Sequence, residues 1–310
     1  MILRLLPGLS VLMLLLSLSV YSQDIQFHSD YVEFTQGEII AGMLSVVTKD
    51  YPYTIRLEKE DGSIAASTES FSVDGFQFFV LPLRFDLPPG EYRVRAVPRQ
   101  SANPQLKSVA ITIAAEDYPY QEIHLTREVS NLRRTEDPRR VEESEHLWSV
   151  ISNVDSDAVY HRGSMQMPLV AYSVSSEFAH QRVFLYDDGA SSRSIHYGWD
   201  LAAPQGTDLF APGAGRVVLA RNRMITGNSI IIEHLPGMYS LLYHLETIRV
   251  QEGDVVEIGD YIGTVGSAGV STGPHLHWEI RIRTVPVHPQ ALLNIDMLDT
   301  EAYMPHIGDE

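Results

Sequence analysis

The chain has 310 residues, with 40 Asp and Glu against 23 Lys and Arg, a formal net charge of −17. That length suits two domains with separate cores, and the acidity argues against nucleic acid or an anionic membrane surface as a partner. The absence of cysteine excludes disulfides, thiolate metal sites and lipid attachment at cysteine, so any metal must be held by His, Asp or Glu.

Residues 1–22, "MILRLLPGLSVLMLLLSLSVYS", carry one positive charge, Arg4, then a long apolar run ending in small residues. This pattern reads as a cleaved secretory leader, and its apolar core is short for a retained anchor. Loss of Arg4 takes the mature chain to −18. Export follows, with a periplasmic or envelope location expected and extracellular release as the alternative. No later segment is apolar enough to span a membrane.

Residues 23–115 alternate short apolar strands with turns. "YTIRLEKEDGSIAAS" reads as strand, Asp61-Gly62 turn, strand, and "LPPGEYRVRAV" starts a late strand after Pro-Pro-Gly. The spacing predicts an antiparallel β-sandwich of immunoglobulin-like type. Nothing in it clusters ionisable groups, which leaves spacing, docking or covering as its roles.

Residues 116–164 form a charged connector with a short helix. Asp137 is a helix N-cap with Pro138 at the first helical position, and Val141, Leu147, Trp148 and Ile151 are expected to form one apolar face. His146 reads as exposed. From 165 to 295 glycine becomes frequent and β-prone runs return, among them "GRVVLARNR", "NSIIIEHL", "YSLLYHL" and "HLHWEIRIR". A compact all-β catalytic or binding domain is predicted there, followed by a tail at 296–310.

Seven of the twelve histidines lie after residue 195. In "GPHLHWEI", His275 and His277 are two apart and so share one face of a strand. In "HYGWD", His196 and Asp200 are four apart, a spacing that suits one face of either a helix or a strand. Gly198 and Pro204 favour extended structure. Adding His277 gives two imidazoles and one carboxylate, the kind of set that catalytic zinc takes while keeping a fourth position open. His244, in "SLLYHL", and His275 remain as imidazoles able to move protons near neutral pH.

"HYGWD", "YHL" and "GVSTGPHLHWEI", in that order and separation, resemble the lysostaphin or LytM-type zinc endopeptidases that cut peptidoglycan cross-links. "APGAGRVVLA" and "VQEGDVVEIGDYIGTVG" support the likeness, which spans roughly 167–293; in "SSEFAHQR", Ala179 stands where a glycine is usual. The resemblance implies a barrel-sandwich-hybrid-like sheet domain, one Zn2+ held by His196, Asp200 and His277, and peptidoglycan stem peptides as substrate. It also implies His275 as general base and His244 as transition-state stabiliser. Tyr186 and Asn228 are candidate substrate contacts.

Rival readings are weaker. "GVSTG" matches the G-x-S-x-G nucleophile elbow, but Pro274 and an alternating strand follow where a helix is required, so Ser271 reads as a loop residue. A biotinyl or lipoyl carrier needs a lysine, and none follows Lys107. His234 reads as structural and His288 as a turn residue, while His28, His124, His161, His180 and His306 have no partner pattern. The competing function is a non-catalytic or latent wall-binding regulator of the same fold, restrained by its own N-terminal region or docked on a partner hydrolase.

Overall fold

A computed structural model describes residues 25–28, 32–44, 52–99 and 108–303, so the leader expected at 1–22 and His306 lie outside the described residues. Among the described residues no helix is long and apolar enough to cross a membrane.

The N-terminal region contains nine strands: β1 (Ile25–Phe27), β2 (Glu33–Thr35), β3 (Ile39–Leu44), β4 (Tyr53–Glu58), β5 (Ile64–Glu69), β6 (Phe71–Val73), β7 (Phe76–Pro82), β8 (Gly90–Pro98) and β9 (Val109–Ala114). They form two sheets, ordered β1-β3-β7-β6 and β2-β9-β8-β4-β5. Alternation dictates the sandwich. In β4, Tyr53, Ile55 and Leu57 point inward, and β8 and β9 add Tyr92, Val94, Ile111 and Ile113. Ile40, Leu44, Phe79 and Leu81 meet them from the other sheet. Each such side chain contributes about 1.5–3 kcal/mol by leaving water. One departure from the predicted antiparallel arrangement is β2, which runs parallel to β9.

Strand β3, "IIAGML", is buried along its whole length, the pattern of a strand covered on both faces. Ile40 and Leu44 face the sandwich interior, whereas Ile39, Ala41 and Met43 join a second core with Ile280, Ile282 and Val287 of the C-terminal region. Of the three roles left open for the sandwich, docking is the one its packing displays.

The connector is more structured than its charge suggests. A strand, β10 (Tyr120–His124), is followed by helices α1 (Arg127–Arg134) and α2 (Pro138–Ile151). Asp137 caps α2 as expected, its carboxylate accepting from the Arg139 amide at 2.8 Å. The expected apolar face is not realised: Val141 and Trp148 are 60% and 48% exposed. Apolar docking is left to Leu147, Val150 and Ile151 against Leu219, Ile231 and Tyr239, while Glu143 docks by a polar bond, accepting from the Met224 amide at 2.8 Å.

The C-terminal strands are β11 (Ser173–Ser176), β12 (Gln181–Leu185), β13 (Ser191–Ile195), β14 (Trp199–Ala202), β15 (Asp208–Phe210), β16 (Gly215–Arg223), β17 (Gly227–Leu235), β18 (Met238–Ile248), β19 (Val255–Val256), β20 (Tyr261–Val265), β21 (His275–Ile282) and β22 (Val285–Val287). The main sheet runs β11-β14-β21-β18-β17-β16-β19, with β15, β20 and β22 attached. A smaller sheet, β10-β12-β13, stands beside it. There β10 pairs parallel to β12, so a connector strand is hydrogen-bonded to the C-terminal region. The near-all-β class agrees with the sequence.

Candidate metal centre

Strand pairing brings distant residues together. In the antiparallel ladder of β14 and β21, Asp200 lies opposite His277 and Ala202 opposite His275. On the other side of β21, Tyr243 of β18 lies opposite His277, and the two rings stack at 5.5 Å and 2°. His196 arrives from the turn between β13 and β14. Gly198 in that turn is a steric requirement: a Cβ there would lie 2.7 Å from His277 Nε2 and 2.7 Å from the Trp278 carbonyl oxygen.

His244 is presented differently. Its φ is +64°, and the β17–β18 register shifts between Asn228 and Ile230. Such a bulge re-aims a side chain that regular alternation would send elsewhere. The His244 amide leaves the ladder and donates to the Thr226 carbonyl at 2.8 Å.

His196, Asp200 and His277 are buried, and each offers one ligand atom, all within 4.8 Å of one another. The hydrogen bonds fix which atoms carry lone pairs. His196 Nδ1–H donates to the Glu177 carbonyl at 2.7 Å, which leaves Nε2 unprotonated, 3.0 Å from Asp200 Oδ1. His277 Nε2–H donates to Glu279 Oε1 at 3.1 Å, and its Nδ1 lies 2.7 Å from the same Asp200 oxygen and 3.0 Å from His196 Nε2. Three electron-rich atoms thus converge, an arrangement that repels itself unless a positive charge sits among them. The donor set, neutral imidazoles with a carboxylate, fits a divalent cation of zinc's preferences.

The electrostatics say the same. Burial alone would lower the His277 pKa, yet hydrogen bonds to Asp200 and Glu279 outweigh it and raise the pKa to about 9. The residue gains a proton where no other cation balances two carboxylates. His196 is pushed by burial down to about 4. Burial would raise the Asp200 carboxyl, but His196 and His277 hold it well below the usual range.

The sequence reading missed several supporting groups. Glu279 orients His277 and is itself bound by Arg281 Nε at 2.7 Å, an outer carboxylate of the sort that fixes a ligating imidazole. Continued alternation along β21 signals it, since His275, His277, Glu279 and Arg281 share one face. Arg182 of β12 pairs with Asp200 Oδ2, and no local pattern announces that contact. Ala179, in the expected glycine position, has φ +59°, a left-handed conformation that costs a non-glycine residue roughly 1–2 kcal/mol. Its amide donates to the His196 carbonyl at 2.7 Å, so the strained turn anchors the first imidazole.

His275 and His244 flank the cluster, their rings 4.8 Å apart. His275 Nδ1–H donates to the Gly273 carbonyl at 2.8 Å and His244 Nδ1–H to the Ala268 carbonyl at 2.7 Å. Each therefore keeps an unprotonated Nε2. Burial lowers the pKa of His275, and burial with the neighbouring His275 and His277 takes His244 to about 3. All five residues line one open cleft of about 250 Å3.

Two candidates do not join them. Tyr186 is absent from the cleft wall, and its hydroxyl is held by Ser192 at 2.9 Å and by Arg133 Nε at 3.2 Å. Asn228 spans β17 and β18, donating to the Glu246 carbonyl at 3.0 Å and accepting from Asn222 at 3.0 Å, and it too lies outside the wall. Ser271 is a loop residue, its hydroxyl donating to the Gly273 carbonyl at 2.7 Å. His288 caps a short 3-10 turn, Pro289–Leu292.

Part of this region is similar to known proteins. Peptidase family M23 matches residues 194–289. The DD-carboxypeptidase/endopeptidase Mpg of Neisseria meningitidis is 37% identical over 136 residues, 44% of this chain and 30% of that protein. The peptidoglycan DD-endopeptidase ShyA of Vibrio cholerae is 41% identical over 93 residues, 30% of this chain and 22% of that one. This chain thus spans less than a third of either relative. A crystal structure from Pseudomonas aeruginosa assigned to peptidase M23 shares the fold, with TM-score 0.57 and 20% identity over 84% of this chain and 95% of that one. Residues 194–289 are a peptidase M23 domain of the lysostaphin/LytM type.

Proposed function

We propose that this chain is an exported zinc endopeptidase that hydrolyses peptide cross-links of peptidoglycan. The observation that carries the reading is the convergence of three lone-pair atoms, from His196, Asp200 and His277, beside two further imidazoles in one open cleft. Zn2+ in such a set supplies Lewis-acid polarisation of a carbonyl and of water.

The chain's own groups supply the rest. His275 Nε2, unprotonated because Nδ1–H is committed to Gly273, takes the proton of the water that attacks the amide carbon. His244 Nε2 also begins as an acceptor and donates to the developing oxyanion after taking a proton from bulk water, a state the negative charge itself favours. The proton then passes to the leaving nitrogen as the C–N bond breaks, giving a carboxylate and an amine without a covalent intermediate. Arg182 and Glu279 hold Asp200 and His277 in place, and the sandwich docks against the sheet that carries β21.

The test is mass spectrometry of muropeptides after purified sacculi are incubated with the zinc-loaded chain. Loss of cross-linked dimers with gain of monomers is expected; unchanged dimers alongside a positive-control hydrolase contradict the reading.

A second reading, a latent form of the same enzyme, is favoured by one feature: Ile123, Leu125, Val129 and Arg133 of the connector line the cleft. A chain beginning near residue 160 that is more active than the full mature chain supports latency, and one no more active counts against it.

A further inference from the structure

The cleft wall contains two arginines, Arg133 of α1 and Arg182 of β12, and two carboxylates, Asp200 and Glu279. Three of these four are already matched. Arg182 is bound to Asp200, and Glu279 is shared by His277 and Arg281. Arg133 is not: among the described residues no carboxylate pairs with it, in a chain of net charge −17. What does hold Arg133 is neutral. Its guanidinium lies 3.7 Å over the Phe184 ring, and Nε donates to the Tyr186 hydroxyl at 3.2 Å. The Arg133 carbonyl accepts from Arg140 Nη1 at 3.0 Å, which fixes the last turn of α1. Stacking and one bond at Nε orient the fork while its terminal nitrogens stay uncommitted, the form in which arginine recognises a carboxylate bidentately.

We propose that Arg133 is a specificity-determining residue that binds a free carboxylate of the peptide substrate, so that the connector forms part of the substrate site. The proposal rests on the peptidoglycan endopeptidase reading and deepens it. A cross-linked stem peptide offers two such groups, the carboxylate at a peptide C-terminus and the one on the diamino acid, and the chemistry at Arg133 is the same for both. Tyr186, away from the cleft wall itself, acts here by holding Arg133.

The test uses the full mature chain, zinc-loaded, with three synthetic cross-linked stem peptides: both carboxylates free, only the C-terminal one amidated, and only the diamino-acid one amidated. The unsubstituted chain should lose roughly ten- to a hundredfold in kcat/KM on one amidated peptide, mainly through KM, as expected for a lost charge-assisted bond. The peptide affected identifies the carboxylate. Arg133→Gln should erase that difference, and Arg133→Lys should keep part of it. Equal rates on all three peptides for the unsubstituted chain overturn the proposal, as does Arg133→Gln keeping the original ratio. Binding of the same peptides to the zinc-loaded His275→Ala chain, read by calorimetry, separates the two claims. If no peptide is cut but binding shows the Arg133-dependent preference, recognition stands and the hydrolase reading fails. If the peptides are cut without that preference, hydrolysis stands and recognition fails. If none is cut or bound, both fall.

Discussion

Two pairs of buried histidines, one of them shared with the connector through His161, are built to opposite ends. His196 and His277 sit 4.9 Å apart, His161 and His234 6.1 Å apart. In the first pair each imidazole donates outward, to Glu177 and to Glu279, and turns a lone pair towards Asp200. In the second pair the lone pairs are spent on the protein. His161 Nδ1 accepts from the Ala214 amide at 3.2 Å, and His234 donates from Nδ1 to the Ala214 carbonyl at 2.7 Å while Nε2 accepts from Ser240 at 2.8 Å. No carboxylate is hydrogen-bonded to this pair among the described residues, and burial takes the His234 pKa down to about 3. Burial of imidazole is common to both. The direction of the lone pairs and the carboxylate between them make one pair a candidate metal centre and the other a packing element.

The sharpest way to break that comparison is to remove a ligand. His277→Ala should reduce zinc from about one per chain to background by elemental analysis and lower sacculus hydrolysis on the order of a thousandfold or more. His275→Ala should keep the zinc and still lose roughly a hundred- to ten-thousandfold in kcat, which separates proton transfer from metal holding. Glu279→Gln should weaken zinc affinity about ten- to a hundredfold in a competition titration with a chelator, since the outer carboxylate no longer orients His277. His234→Ala belongs to the other pair: zinc content should be retained, while thermal or urea unfolding shows a loss of about 1–3 kcal/mol from the unpaired Ser240 and Ala214 groups.

The proposed ligands were readable because two chemistry-bearing residues at i and i+2 of a strand share a face, and because Gly198 and Pro204 favour extended structure after His196. The class of the fold was readable from alternation, as in "YTIRLE". What escaped depends on partners far along the chain. Arg182 meets Asp200 only after β12 is laid beside β13, and the second buried face of β3 exists only because the sandwich docks on the C-terminal core. Helix α1, eight residues with Ser130 as its one buried side chain, offers no apolar stripe to read. Val141 and Trp148 mislead for the reverse reason: their spacing is amphipathic, but both stay exposed while Leu147, Val150 and Ile151 make the apolar contacts of α2. Glu279 was legible by the same alternation that marks His275 and His277, and treating it as part of the strand's ordinary sequence hid it.

The most direct measurement is anomalous diffraction at the zinc edge from crystals of the zinc-loaded chain. The account predicts one strong peak roughly 2.0–2.2 Å from His196 Nε2, an Asp200 carboxylate oxygen and His277 Nδ1. A peak held by other residues, or none in crystals of a chain that still cuts sacculi, contradicts it.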